Sequence, residues 1–361
     1  MKIALVLASS TGGIGSHVAS LVTGLAADDE VTVCGPAATQ EQFRFTERGA
    51  TRFYPVEIRP KPRPWDARVI GVLRRVLAEV RPDVVHAHGM RAGFVAVAAR
   101  SGVPLVVTWH NAALAGGLGG PVNRIVERWV ARSADVTLGA YADLVERAVA
   151  FGARDARLCE VAAPELPPPA RTRAEVREEL GLAKGRPLIL SVGRLHQQKG
   201  FDVLVDAATR WRNLDPVPLV AIAGKGPEYL DLTAQISHNR APVLLLGHRT
   251  DVADLLGAAD LAVVSSNAEA RQLFAQEALR AAVPLVATAV GGIPELVGDA
   301  ALLVPAGDAA ALDSAVWRML SDPALRRQYA ERGPLQAKTW PTEHDTVDAV
   351  RAVYAELAGS R

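Results

Sequence analysis

Two acidic residues, Glu269 and Glu277, with seven residues between them, stand in the stretch Ala262 to Leu296, AVVSSNAEARQLFAQEALRAAVPLVATAVGGIPEL. On one continuous helix, eight positions would separate them by ~80° in azimuth and ~12 Å in rise, too far to share a small ligand. The pattern predicts otherwise. AVVSS reads as a short buried strand, LFAQEALRAA has helical spacing, and PLVATAV reads as a second buried strand. A helix starting near Gln272 leaves Glu269 on the loop at the strand's carboxyl end and Glu277 in the early helical turns. The N–H groups of Leu273, Phe274 and Ala275 then point out of the helix end. Carboxylates accept from hydroxyls, and helix amides with the helix dipole hold anionic oxygens. That combination suits a ligand carrying both hydroxyls and phosphates. An ordinary strand–helix unit with one loop acid and one solvated helix acid is the alternative.

A second group precedes it. Ser191 to Gly200, SVGRLHQQKG, puts Gly193, Arg194 and Lys199 between a strand and a helix. Two cations beside a helix N-terminus suit a diphosphate. No Gly-Lys-Ser/Thr follows, so this is not a Walker loop. Gly224 and Gly226 (AGKGP) form another glycine turn at a strand end. LLLGHRTDV places Leu246 and His248 at the next, where they could meet a base.

Near the start, KIALVLA, STGGIGSH and VASLVTGLAA read as strand, glycine turn and helix, the opening of a doubly wound α/β domain. Gly13 and Gly15 let backbone approach an anionic group. The third glycine of the dinucleotide fingerprint is absent, and the strand VTVCG ends without a ribose-binding acid, which disfavours a nicotinamide dehydrogenase. PDVVHAHG ends a strand in His86 and His88, on one face by alternation. No neighbouring Cys or Asp completes a metal site there, and none is expected. GVPLVVTWHNAA ends its strand in Trp109, His110 and Asn111, at the edge where open parallel sheets bind ligands.

The 361-residue length accommodates two domains. Ala163 to Ala170, APELPPPA, is the clearest linker, and the α/β alternation restarts after it. The expected layout is a first domain over 1–165, a linker over 163–172, a second domain over 173–340, and a C-terminal helix in 341–361 packing back on the first. The net charge of +1 gives no global pull toward nucleic acid. Cys34 and Cys159 lie in apolar runs and read as core residues. The first apolar run is too short for a signal peptide. The uncharged segment from Ser101 to Asn123 is too rich in Gly, Pro and polar residues to span a bilayer. A cytoplasmic protein is expected. The basic segment 57–81, with Arg59, Lys61, Arg63, Arg68, Arg74, Arg75 and Arg81, is either a solvated face or a contact with an anionic acceptor or the inner membrane surface.

Gly-Arg-Leu followed by Lys199-Gly200, the paired glutamates, and Gly291-Gly292-Ile293-Pro294-Glu295 together resemble the retaining nucleotide-sugar glycosyltransferases of the GT-B fold, family 4. Gly12 to Gly15 and Asp83 to His88 resemble that family's first domain. The resemblance covers nearly the whole chain and implies two Rossmann-like domains facing a central cleft. It implies that Arg194 and Lys199 bind the donor diphosphate and that Glu277 takes the ribose hydroxyls. Glu269 faces the donor sugar, with the amides of Leu273 to Ala275 near sugar and phosphate. Gly13 approaches the phosphate, and His110 lies beside the reacting sugar and a hydroxyl acceptor, whether small molecule, glycan or lipid-linked. It implies no catalytic metal and no cofactor beyond the donor, with front-face attack and retained configuration. The family's usual glycine and aromatic after the first glutamate are replaced by Ala270, Arg271 and Gln272, which leaves the sugar open. A nucleotide-sugar epimerase of the same fold, its hydrolytic relatives, and a non-catalytic nucleotide-sugar-binding protein are the alternatives.

Overall fold

The computed structural model describes residues 1–10, 12–59, 66–99, 102–110 and 120–359. The chain divides into two compact units. Unit 1 is Met1–Pro164 with Pro341–Arg361, and unit 2 is Glu165–Trp340.

Unit 1 holds seven parallel strands among the described residues: β1 (Lys2–Leu7), β2 (Glu30–Gly35), β3 (Arg52–Pro55), β4 (Val84–His88), β5 (Leu105–Trp109), β6 (Val136–Gly139) and β7 (Ala156–Leu158). Their order is β3-β2-β1-β4-β5-β6-β7. β1, β4 and β5 are almost wholly buried, because helices cover both faces of a parallel sheet, so they are largely apolar, with His86, His88 and Thr108 as the polar exceptions in β4 and β5. The chain leaves β1 toward one edge and returns through β4 on its other side, so the β1–β4 boundary is the topological switch point, where loops part and leave a crevice. Register there sets Leu5 beside His86 and Leu7 beside His88.

The C-terminal helix Glu343–Gly359 belongs to this unit. Val347, Val350, Val353 and Tyr354 join the core formed by Val18, Leu21, Val22 and the β1–β2 strands. It approaches the helix Gly13–Leu25 at Gly24, where a Cβ would fall 2.6 Å from the Val347 side chain. Cys34 and Cys159 are buried free thiols.

Unit 2 has six described parallel strands: β8 (Leu188–Val192), β9 (Leu219–Ala223), β10 (Val243–Gly247), β11 (Leu261–Val264), β12 (Leu285–Thr288) and β13 (Ala301–Val304), ordered β10-β9-β8-β11-β12-β13. Its switch point lies between β8 and β11. Two strands escape the hydrophobic pattern: β3, short and half-exposed, and β13, whose ALLV run is brief. Unit 2 begins with a capped helix, Arg173–Glu179, whose N-cap Thr172 and Glu175 bond reciprocally. No described helix is long and apolar enough to cross a membrane.

The strand ends of β8, β9 and β10 are laced by backbone bonds. Gly193 N–H donates to Ala223 O at 3.0 Å, and Gly224 N–H to Gly247 O at 2.7 Å. Gly224 and Gly226, expected to face a ligand, instead face neighbouring backbone. A Cβ on Gly224 would stand 1.8 Å from Gly193 O, and one on Gly226 would stand 2.0 Å from Leu195 O. No rotamer relieves a clash with backbone, so Gly224→Ala should destabilise unit 2 by at least about 1–3 kcal/mol. Urea unfolding followed by circular dichroism checks this. An unchanged midpoint would show that the strand ends part more easily than this packing implies.

Candidate functional site

Unit 2 brings its sequence-selected residues together at the β8–β11 switch point. Lys199 follows β8 in a short 3-10 turn that ends at Gly200. Gly200 has a φ of +59° and sits against β11's end, where a Cβ would meet Ser265 O at 2.1 Å. The Lys199 stem lies over Gly193, about 3.5 Å from where a Cβ would be. Its ammonium pairs directly with Glu269 Oε1. Ser266 Oγ donates to the same oxygen at 2.7 Å. The loop between them is tied down. Asn267 N–H donates to Gln198 O at 2.7 Å, Gln198 Nε2 to Ala268 O at 2.8 Å, and Ser265 Oγ to Lys199 O at 3.0 Å. Glu269 O accepts from Gly292 N–H at 3.2 Å, which joins the Gly291–Glu295 turn to the same loop. Arg194 is exposed and has no ion pair among the described residues, so it is available to an anion. His248 is exposed after β10, whereas Leu246 packs against the unit 2 core.

The helix begins where the sequence places it, at Leu273, but its amides are not all open. Gln272 is the N-cap, an uncommon residue there, and is only 6% exposed. Its Oε1 accepts from Phe274 N–H at 2.6 Å and from Ala275 N–H at 3.4 Å. Phe274 and Ala275 side chains are buried in the core. The expectation of free amides at Phe274 and Ala275 is therefore corrected: a side-chain oxygen already occupies the place a ligand oxygen would take. Leu273 N–H is not among the amides Gln272 holds. Arg271, next to it, is 7% exposed, a buried cation where the family usually carries an aromatic.

Glu277 lies one turn further in. Burial raises its carboxyl to about 7, against a smaller opposing effect from Arg280. Arg280 in turn stacks over the Trp340 ring, 5.7 Å from its centroid. A carboxyl so placed is partly protonated near neutral pH, and its ionised form accepts hydrogen bonds from hydroxyls.

Unit 1 forms a different cluster at the β1–β4 switch point. Gly13 opens the helix Gly13–Leu25 and is exposed. Gly15 is not: it lies inside the helix, and a Cβ there would stand 2.1 Å from the Phe43 ring. Its role is close packing, which corrects its expected approach to a ligand. His17, one turn on, turns inward to meet His88 at the end of β4 and His110 just beyond β5. The three are 3%, 1% and 6% exposed. His110 Nε2 and His88 Nδ1 are 3.4 Å apart. Among the described residues, neither His17 Nε2 nor His88 Nε2 has a hydrogen-bond partner. His86 does: Nδ1 bonds Tyr354 Oη at 2.5 Å and Nε2 bonds Thr108 Oγ1 at 2.7 Å. Burial lowers all four imidazoles, His17 to about 4 and His86 to about 3, with His88 and His110 well below the usual range. His110 is therefore a neutral hydrogen-bonding group at neutral pH. His17 was not singled out by sequence. It sits 71 positions before His88, and only its place on the inner face of an amphipathic helix hints at burial.

In the basic segment, Lys61, Arg63 and Trp65 lie outside the described residues, as does Asn111 after His110. Arg59 and Arg68 are exposed, while Arg74 donates to Ala99 O and Ala98 O at 3.0 and 3.1 Å. Part of that charge thus caps a neighbouring helix end.

Two doubly wound parallel-sheet domains define the GT-B class. Among solved structures, Anabaena HepE in complex with UDP-glucose has a TM-score of 0.80 at 20% identity, covering all of both chains. WaaG, a glycosyltransferase involved in lipopolysaccharide biosynthesis, has a TM-score of 0.74 at 18% identity, covering 98% of this chain and 99% of that one. These likenesses are of fold. The family described as glycosyl transferases group 1 matches residues 172–336, and the glycosyl transferase 4-like domain matches residues 12–164. Glycogen synthase of Mycobacterium tuberculosis is 32% identical over 300 residues, 78% of this chain and 70% of that protein. Alpha-maltose-1-phosphate synthase of the same organism is 35% identical over 206 residues, so the match spans only about half of that relative's length, 53%. The chain belongs to the family-4, group 1 glycosyl transferases.

The raised Glu277 carboxyl has a consequence for stability. The folded state keeps its proton up to about pH 7, whereas the unfolded chain loses it near the ordinary 4.5. Its stabilising contribution is complete below that lower value and is lost as pH rises through 7. Glu277→Gln should therefore match the parent near pH 4.5 and exceed it at pH 8, by on the order of 1–3 kcal/mol. Calorimetric melting at both pH values checks this; a gain of equal size at both would contradict the buried-acid account.

Proposed function

We propose that this protein is a retaining glycosyltransferase that moves a sugar from a nucleotide-diphosphate sugar to a hydroxyl acceptor, without a catalytic metal. The observation that carries the reading is the meeting of Lys199 and Glu269 at the β8–β11 switch point, with Glu277 one helix turn inside. Lys199 and the exposed Arg194 supply fixed positive charge for a diphosphate. Glu277 takes the ribose hydroxyls, and Glu269 faces the donor sugar.

The reaction follows from that charge arrangement. As the sugar–phosphate bond breaks, the diphosphate gains negative charge. Cations held beside it bind the transition state more tightly than the ground state, which is what accelerates a reaction. The acceptor hydroxyl enters on the face the diphosphate leaves, so configuration is kept. His110, neutral and buried, accepts or donates a hydrogen bond to the reacting sugar or acceptor. HepE was solved with UDP and UDP-glucose, which makes uridine diphosphate sugars the first donors to try. Membrane contact through 57–81 remains part of the proposal for lipid-linked acceptors.

Lys199 pairs with Glu269, and Gln272 covers two helix amides. A donor has to displace both. Removing Gln272 leaves the amides open, and glycine is a tolerated N-cap. Gln272→Gly should bind nucleotide diphosphate about 3–10-fold more tightly, the equivalent of one modest hydrogen bond. Isothermal titration measures it, and equal or weaker binding would mean that the cap does not compete.

Transfer is tested with a thermal-shift panel of UDP, GDP, ADP and TDP and their sugars, then by turnover with the nucleotide that stabilises. Lys199→Ala and Glu277→Ala should lose nucleotide stabilisation, and Lys199→Ala should lose about 10²–10³ in rate. His110→Ala should keep nucleotide binding and lose transfer. Wild-type turnover in either of the first two variants would overturn the reading. Product from donor alone would favour an epimerase, free sugar a hydrolase, and binding without turnover a sensor.

A further inference from the structure

We propose that His17, His88 and His110 form a binding site for one divalent cation of the zinc class. The sequence alone offered His86 and His88 with no further ligands nearby; the fold adds His17 and His110 from other elements. Each of the three has a ring nitrogen able to bind a cation, and these atoms all lie within 4.8 Å of one another.

The spacing is informative. Two nitrogens bound tetrahedrally at about 2.0–2.1 Å from one zinc stand about 3.3 Å apart. His88 Nδ1 and His110 Nε2 are 3.4 Å apart, long for a hydrogen bond and right for two ligands of one ion. The His17 ring is edge-on and nearly equidistant from the other two, its centroid 5.4 Å from that of His88 and 5.3 Å from that of His110. His17 Nε2 has no partner among the described residues. A buried polar nitrogen without a partner costs about 1–3 kcal/mol, and its place beside the His88–His110 pair points to a ligand that supplies the missing contact.

The donor set selects the ion. Three imidazoles without a carboxylate favour Zn²⁺, Co²⁺, Ni²⁺ or Cu²⁺ over Mg²⁺ or Ca²⁺, which take oxygen ligands. Three protein ligands leave a fourth position for water or another small ligand. His86 is not a fourth ligand, because both its nitrogens are held by Tyr354 and Thr108; its ring lies tilted against that of His88, 4.1 Å between centroids. Resting on the proposed transfer reading, the cation is an inhibitor: it takes the His110 nitrogen that would otherwise meet the sugar or acceptor.

The test uses the untagged full chain, stripped with a chelator and titrated with Co²⁺. One equivalent should bind, give the strong visible absorption of four-coordinate Co²⁺, and be displaced by Zn²⁺. His17→Ala and His88→Ala should abolish that signal, while His238→Ala and His344→Ala, on unit 2 and on the C-terminal helix, should keep it. Should the first two variants fold poorly by circular dichroism, X-ray absorption of the zinc-loaded wild type decides, with three imidazoles expected around the metal. No stoichiometric binding, an unchanged signal in His17→Ala and His88→Ala, or fewer than three imidazoles would overturn the site. Zn²⁺ should also suppress transfer reversibly. A site that fills without affecting turnover upholds cation binding and removes only the assigned part of His110, and absence of turnover with every donor fails the transfer reading alone.

Discussion

The ammonium of Lys199 against the carboxylate of Glu269 is the contact on which the second domain's chemistry depends. The two residues are 70 positions apart, one after β8 and one after β11. Neighbouring parallel strands whose chains run off in opposite directions leave a gap at their carboxyl ends, and both loops empty into it. Inside that gap a lone carboxylate would be costly, and a lone ammonium equally so. Each neutralises the other. The pair thus lets a cation and an acid sit side by side at the β8–β11 switch point.

Gln272 does the same for the helix dipole. A helix N-terminus pointing into a pocket has unsatisfied amides. Here a side chain that the family does not usually carry supplies the oxygen. Glycines play the complementary part. Gly200, Gly224 and Gly226 allow neighbouring backbones to come within contact distance, so rigid strand ends rather than long side chains fix the positions of Arg194 and Lys199.

The first domain repeats the geometry with a different chemistry. Its switch point, between β1 and β4, is lined by imidazoles instead of an ion pair. The C-terminal helix reaches into the same domain, where Tyr354 holds His86 and so steadies the histidine ladder from behind. Residues 342–359, the farthest in sequence from β1, thereby help set the site at its end.

Local pattern made much of this legible. Apolar runs such as KIALVLA and VPLVAIA, short and bounded by turns, read as strands buried on both faces, and the helix after Gln272 is written in its spacing. The loop acids, the two cations and the family likeness follow from residue types and order alone. What sequence could not settle was anything that depends on which loops converge. β3 and β13 are too short to stand out. Gly15 and Gly226 look like ligand loops until neighbouring atoms are seen filling the space. His17 carries no local signal, because its meaning comes from a strand order that sets a helix from one crossover beside the ends of two strands 70 and more residues later. Periodicity along a chain encodes burial; proximity across a sheet is decided by topology, and only the folded structure contains it.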